Sequence, residues 1–430
     1  MNLLLRSAAA FALAVFAARG ADAAEAANPS LAKEVEAYLL ETKPEGNSSA
    51  ASVEIKSGKG LTFQTADGGF SMHIGGRAYF DNGWPGSDDF NRTETQDFSF
   101  WRTIRLEVDG TFFTNAFFKI QMDFMPGTDV QLKDVYMGLK KLGFLGTLHV
   151  GHFKEPFSLE EQTSSRFTTF MERAAANAFA PGRNNGIMFN NDFLKDGLLG
   201  VFVGIFRDVN DQGNVAEDGA YNLTARVVAF FLHDKDTNRV LHVGAAFSLR
   251  DPNNEAAVQF RARPDIGTGP RFVDTGTIAA EDINLFNFEF CFILRTFHVQ
   301  AEFFLTELSG GADASFSGFY VEAGWFIVGG QRTYSTSKKC IDRPKITQNF
   351  HAGKGGAGAW QFAVRFDTID LNDGAVAGGV QDCVTIGVNW FWNPHMVTKF
   401  NVILADITDG GGPFGEGELT IFAMRFQFDF

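Results

Sequence analysis

Basic charge is in short supply in this chain of 430 residues. It carries 37 Lys and Arg against 51 Asp and Glu, a formal net charge of −14. That balance excludes a nucleic-acid partner, which needs a basic footprint. Cysteine is scarcer still. Cys291, Cys340 and Cys383 are the only three, too few for a disulfide scaffold over this length. Their number is odd, so at least one lacks a partner within the chain, and nothing near them has metal-ligand spacing. Beyond the first few dozen positions there is no apolar run of about 18 residues or more, and mean hydropathy is −0.06. A helical membrane protein is thereby excluded. Tryptophan and tyrosine are sparse, with 6 of each, whereas phenylalanine occurs 48 times. The 45% hydrophobic content excludes disorder. The phenylalanine excess is what needs explaining.

Residues 1–23 read as a secretory signal peptide. Arg6 supplies the positive start, residues 8–18 are apolar, and Ala21-Asp22-Ala23 has the small-residue form of a cleavage site. Cleavage is expected after Ala23, with Ala26 the alternative. Residues 24–60 are expected to form a periplasmic arm and linker. In the arm, Leu31, Val35 and Leu39 fall on one face of a short helix over 29–43. A Gly/Ser/Lys-rich linker follows over 45–60.

From residue 61 onward the dominant pattern is alternation. At the end of the chain, Phe422, Met424, Phe426, Phe428 and Phe430 share one face, and Ala423, Arg425, Gln427 and Asp429 share the other. Similarly, Phe118, Ile120, Met122 and Phe124 oppose Lys119, Gln121 and Asp123. Phe362, Val364 and Phe366 oppose Gln361, Arg365 and Asp367, and Val258, Phe260 and Ala262 oppose Gln259, Arg261 and Arg263. Seventeen segments read this way: 70–82, 97–110, 115–125, 131–140, 146–154, 184–192, 198–208, 221–232, 240–250, 257–264, 283–293, 297–308, 316–328, 358–370, 382–393, 396–408 and 418–430. Most match the roughly 9–11 residues a tilted strand needs to cross a bilayer.

An open sheet of this size leaves unpaired edges that lipid cannot satisfy. A closed antiparallel barrel puts the Phe faces in lipid and the polar faces in an aqueous lumen. The expected fold is therefore an all-β transmembrane barrel over 61–430. A single-chain barrel with both termini on one side needs an even strand number, so one segment is miscounted, either 257–264 or a piece of 45–66. Sixteen strands is the expectation and eighteen the alternative. At that size the lumen is a water-filled channel.

Two stretches carry a resemblance. Gly151-His152-Phe153-Lys154-Glu155-Pro156-Phe157-Ser158-Leu159-Glu160 continues into Thr163-Ser164-Ser165-Arg166 and Phe170-Met171-Glu172-Arg173. The second runs through Gly358-Ala359-Trp360, Arg365 and Ile369-Asp370-Leu371-Asn372-Asp373-Gly374 to Gly387-Val388-Asn389-Trp390-Phe391-Trp392-Asn393-Pro394. On these residues the sequence resembles the phosphate-selective porins (porin O and porin P) over about 60–430. The terminal Phe430 is similar to the signal read by the barrel-assembly machinery. The resemblance implies a 16-stranded barrel in the outer membrane of a Gram-negative-type bacterium, surrounded by lipid and usually trimeric. It passes small anionic solutes and needs no cofactor. It also implies a third extracellular loop folded into the pore, here 155–183; within it 163–171 reads as a short helix, and Ala174-Ala175-Ala176 follows.

Selectivity in a pore comes from charge and hydrogen-bonding groups at its narrowest point. The family places two adjacent cations on an early strand and one on the infolded loop. The matching positions are Trp101 and Arg102, then Arg166, preceded by Ser164 and Ser165; a family acid matches Asp134. Trp101 departs from the pattern. Strict alternation also points Arg102 outward and Arg105 inward, so Arg102 sits at an interface, packs in a trimer contact, or is turned in by a bulge. Arg105 is the candidate to replace it. Further lumenal cations by alternation are Arg77, Lys119, Arg226, Arg261, Arg263 and Arg365. The census gives 11 inward cations (with Lys140, Arg250, Arg295 and Arg425) against 10 inward acids, so any anion preference requires local clustering, which Arg261 and Arg263 suggest.

A barrel enzyme is the first rival. It needs a nucleophile, a base and an orienting group at one rim, and the 8 His are scattered. A structural or adhesive barrel is the second. Within the porins, a general diffusion pore with weak ion selectivity is the alternative to a phosphate-selective one. Strand counting puts Cys340 and Cys383 on opposite sides of the membrane, which forbids a bond between them.

Overall fold

A computed structural model describes residues 51–55, 61–65, 67–88, 96–125, 127, 129–214, 221–234, 236–252, 256–409 and 415–430. The expected signal peptide and the 29–43 helix lie outside the described residues. Sixteen strands close a barrel. The first eight are β1 (Phe70–Asp88), β2 (Phe98–Phe112), β3 (Ala116–Asp123), β4 (Gln131–Leu139), β5 (Thr147–Lys154), β6 (Arg183–Phe193), β7 (Leu199–Arg207) and β8 (Tyr221–Asp234). The others are β9 (Arg239–Arg250), β10 (Asp282–Leu294), β11 (Phe297–Ser309), β12 (Ala314–Val328), β13 (Ala359–Asp373), β14 (Val376–Asn393), β15 (Met396–Thr408) and β16 (Gly417–Asp429). Each pairs antiparallel with the next, and β16 closes on β1 with Asp429 opposite Arg77 and Phe426 opposite Phe80. A hairpin of Ala51–Ile55 and Leu61–Thr65 joins the same edge of β1, with Leu61 opposite Ile74 and Gln64 opposite Ser71, so it continues the wall beyond the last residue. Eighteen strands thus share one sheet and sixteen form the ring.

The alternation has the physical cause expected of it. On β16, Phe426 is 41% exposed while its neighbour Arg425 is 1% exposed. The Phe faces look outward, and the charged faces meet each other inside. The inner face of β3–β7 carries an aromatic cluster: Tyr136 and Phe206 both lie edge-on to Phe153, and Phe117 edge-on to Tyr136 and His149. Gly138 makes room for it, since a Cβ there would lie 2.3 Å from the Phe117 ring and 2.2 Å from the Leu148 carbonyl.

The seventeenth segment is not a wall strand. Ala257–Val258 pairs with Ile278–Ala279, and Arg261–Ala262 pairs with Val273–Asp274, within the β9–β10 connection. Phe260 and Ala262 are buried. Phe260 packs on Phe179 and Phe316, with ring centroids at 5.3 and 6.0 Å. Period-two patterning reports two environments, and here the apolar one is protein, not lipid. Arg261 and Arg263 accordingly stand on an infolded loop and not on the wall. The 329–358 connection also leaves the wall. Its hairpin, Gly330–Ser335 with Cys340–Ile346, packs Cys340 and Ile341 against Leu159 and Phe167 inside the barrel. All three cysteines are free and buried.

Candidate pore constriction

The loop between β5 and β6 crosses the lumen, and backbone satisfaction explains its path. A loop without repetitive structure must find partners for its N–H and C=O groups, and the barrel wall supplies them. Glu155 anchors the departure: its carboxylate accepts from Asn184 at 2.7 Å and from Arg250 at 3.0 Å. A single helical turn follows at Leu159–Gln162. The Ser158 hydroxyl caps it by accepting from the Glu161 N–H at 3.1 Å. The N–H groups of Leu159 and Glu160 donate to the wall carboxylate of Glu302 at 2.8 and 2.7 Å. The helix therefore sits before the expected 163–171, which is built of turns; a 3-10 turn follows at Ala175–Phe179. Arg173 ties the segment together by donating to the carbonyls of Glu160, Glu161 and Thr163.

The tip, Ser164-Ser165-Arg166, meets β1 and β2. Arg77 donates to the Ser164 and Ser165 hydroxyls at 3.3 and 3.0 Å. Arg166 pairs with Glu107 and lies 3.3 Å from Asp429. Farther along, Lys399 donates to the Thr168 and Phe170 carbonyls at 2.7 and 3.0 Å, and Asn389 to the Thr169 carbonyl at 2.9 Å. From the side of the 329–358 hairpin, Arg332 donates to the Phe167 carbonyl at 2.8 Å.

Arg102 does not face outward. The ladder between β1 and β2 shifts between Tyr79 and Phe80, so that Tyr79 opposes Thr103 and Phe80 opposes Trp101. Arg102 is the extra residue of this bulge. Its guanidinium makes a two-pronged bond to Glu172 of the loop, at 2.9 and 3.0 Å, and Arg425 donates to the same carboxylate at 2.6 Å. Trp101 is 43% exposed and packs on Phe80, ring centroids 5.1 Å apart. The position matching the family's first cation is thus on the outer surface.

Arg77, Arg102, Arg105, Lys119, Ser164, Ser165, Arg166 and Asp134 come together around the loop tip, but each cation already has an acid. Arg105 meets Asp123 at 2.6 Å; Lys119 lies 3.3 Å from Glu107 and 3.9 Å from Asp134; Arg77 lies 3.6 Å from Glu107. Two cavities flank the Ser165–Arg166 step. One of about 280 Å³ is lined by His73, Glu107, Arg166, Arg343, His395 and Phe430. The other, about 50 Å³, is lined by Arg102, Arg105, Ser165, Glu172, Arg173 and Arg425 among others.

Two expected residues stand apart. Arg226 is bound to Glu289 by two 2.7 Å bonds in a buried cluster with His242. Arg365 lies 2.6 Å from Asp265 and 3.2 Å from Asp367. Asp265, Asp367 and Cys383 bring a metal-like donor set within 4.8 Å of one another, with the Arg365 guanidinium as counter-charge. Arg261 and Arg263 gather with Arg271 on the β9–β10 loop. Burial, then the charges of Arg102 and Arg261, push the Arg263 pKa down, and burial with Arg263 and Arg261 does the same to Arg271. Sequence reasoning counted Glu107 among the ten inward acids and Glu172 within the matching motif but gave neither a role at the constriction, and it passed over Arg183, which pairs with Asp134 at 2.7 Å. Glu107 stands two residues beyond Arg105 on the same face, so alternation places it inward, but nothing in the pattern identifies it as a hub.

The sequence profile of the family "Phosphate-selective porin O and P" matches residues 73–430. Porin O of Pseudomonas aeruginosa is 25% identical over 426 residues, covering 88% of this chain and 93% of that protein. An uncharacterised protein of Caulobacter vibrioides is 28% identical over 344 residues, covering 76% of this chain and 68% of that one. Among solved structures, OmpT of Vibrio cholerae in a trimer form has a TM-score of 0.54 at 11% identity, covering 84% of this chain and 99% of that one. The anion-selective porin from Comamonas acidovorans has a TM-score of 0.53 at 12% identity, covering 84% and 100%. With the sixteen-stranded barrel and a match over most of its length, the chain belongs to the phosphate-selective porin O and P family of outer-membrane porins.

Proposed function

We propose that this porin passes small anions, inorganic phosphate among them, by passive diffusion and without holding any of them tightly. One observation carries the reading: each wall or tip cation of the constriction is matched by a carboxylate of the same chain, as in Arg105–Asp123, Arg102–Glu172 and Arg166–Glu107. Cations already paired bias the potential without offering an empty seat. The Arg261, Arg263 and Arg271 cluster supports an anionic cargo, because guanidiniums close enough to depress one another's pKa raise the local anion concentration. Porin O, by its name a porin of this family, is the relative that favours the same assignment. The working form is a homotrimer in outer-membrane lipid, delivered after removal of residues 1–23 and inserted through recognition of Phe430; of the expected 24–60 arm, residues 51–55 belong instead to the sheet. The OmpT trimer form supports that assembly.

The test is the reversal potential of the purified protein in a planar bilayer under a KCl gradient, repeated with added phosphate. The expected result is a modest preference for chloride and no block of chloride current by dilute phosphate. A cation-selective pore overturns the reading. Tight phosphate block replaces it with a dedicated phosphate site.

A further inference from the structure

We infer that Glu107 sets the selectivity of this pore: its carboxylate occupies the anion seat that Arg77, Lys119 and Arg166 would otherwise offer to phosphate. The inference rests on the weakly selective reading above and explains it. Glu107 is only 4% exposed, yet it opens onto the 280 Å³ cavity that Arg166 also lines. Three cations converge on its two oxygens. Arg166 Nη2 contacts Oε1, while Lys119 Nζ and Arg77 Nη2 lie 3.3 and 3.6 Å from Oε2. The Gln121 side-chain amide donates to Oε2 as well. Two guanidiniums, an ammonium and an amide N–H around one carboxylate form the donor set that suits a tetrahedral oxyanion.

Two further features indicate that the seat is larger than its occupant. Arg77 is 5% exposed, and its Nε–H finds no hydrogen-bond acceptor among the described residues. The Ser164 and Ser165 hydroxyls sit beside the same guanidinium. A carboxylate with two oxygens leaves donors over; a phosphate with four has oxygens for them. The surrounding acids do not cancel the site. Asp429 is divided between Arg166 and Arg343, and Asp134 between Lys119 and Arg183. Across that network five cations face three carboxylates: Arg77, Lys119, Arg166, Arg183 and Arg343 against Glu107, Asp134 and Asp429. A permeating phosphate must displace a buried, fully paired carboxylate to bind, and that is costly. Glu107→Gln keeps the shape and removes the competitor.

The experiment uses the full-length protein in planar bilayers, with chloride conductance measured as inorganic phosphate is raised. Glu107→Gln is expected to lower the half-blocking phosphate concentration by about tenfold or more, the scale of one charge-assisted contact, and to increase chloride preference. Asp109→Asn is the control. It removes a carboxylate from the same strand, one that meets His73 at 3.2 Å and stands outside the Glu107 network, so it should leave block unchanged. Equal block in both variants, or an unchanged Glu107→Gln, overturns the inference. Glu107→Asp, which keeps the charge and withdraws it by one methylene, carries the test if the glutamine variant does not fold. It should lower the half-blocking concentration by about threefold, and no change overturns the inference. A wild-type pore already blocked at the variant's concentration overturns the weakly selective reading itself; a weakly selective wild type with unresponsive variants overturns only the role of Glu107.

Discussion

Replacing Glu172 with glutamine probes how the crossing loop is held. Its carboxylate takes bonds from Arg102 at 2.9 and 3.0 Å and from Arg425 at 2.6 Å. Burial opposes ionisation of this loop residue, but the Arg102 and Arg425 guanidiniums outweigh burial and hold the carboxyl down to about 2, from an ordinary 4.5. By linkage, the ionised form contributes about 3 kcal/mol to the docked loop. The folded value lies below the unfolded one, so this contribution is complete above about pH 4.5 and is lost as pH falls through about 2. Glu172→Gln removes it at every pH. A loss of about 3 kcal/mol shifts the docked-to-displaced ratio by roughly a hundredfold. Single-channel recording is the assay. At neutral pH the variant should show loop flicker absent from the wild type, and the wild type should acquire flicker only under strong acid. Quiet variant currents at neutral pH, or wild-type flicker arising between about pH 7 and 5, would refute the reasoning.

Two further perturbations separate the lumenal parts. Removing the Gly330–Ser335 and Cys340–Ile346 hairpin takes away the Arg332 bond to the Phe167 carbonyl and a wedge of buried side chains. Single-channel conductance should rise roughly twofold or more with the sign of selectivity kept, and unchanged conductance would show that the hairpin does not lie in the ion path. Gly138→Ala forces a Cβ to within 2.2 Å of the Leu148 carbonyl. It should destabilise the barrel by about 1–3 kcal/mol, read as a lower temperature for loss of heat-resistant mobility on electrophoresis; an unchanged temperature would refute the close packing described at β4.

The wall was legible because a lipid-facing strand has two chemically opposed faces, and sixteen of the segments read by alternation fall on β1–β16. The one misread segment, 257–264, has the same pattern for a different reason. Phe260 and Ala262 bury against Phe179 and Phe316, and a sequence does not say whether an apolar face meets lipid or protein. The bulge at Arg102 was equally hidden. Strict period two points the side chain outward, and only the shift between Tyr79 and Phe80 turns it toward Glu172. The cost of an outward Arg in lipid, about 2–4 kcal/mol, narrowed the choices without selecting one.

The balance of lumenal charge resisted reading for a deeper reason. A near-even count suggests cancellation spread evenly along the pore, but many of these charges never face the passage. Glu302 accepts two loop N–H groups, and Asp367 accepts that of Ala175 at 3.0 Å. Lys399 of the wall and Arg332 of the 329–358 hairpin, neither of them in that count, donate to loop carbonyls. An irregular segment drawn into the barrel loses water around its backbone, and buried backbone groups require partners. The wall must therefore present acids to the loop's N–H groups and cations to its carbonyls, whatever the pore transports. Subtracting those sockets leaves a small set that can act on a permeating ion, and it is uneven: around Glu107 the cations outnumber the acid three to one. Ion preference in this porin then turns on one carboxylate in a cationic seat, a property that total charge cannot reveal.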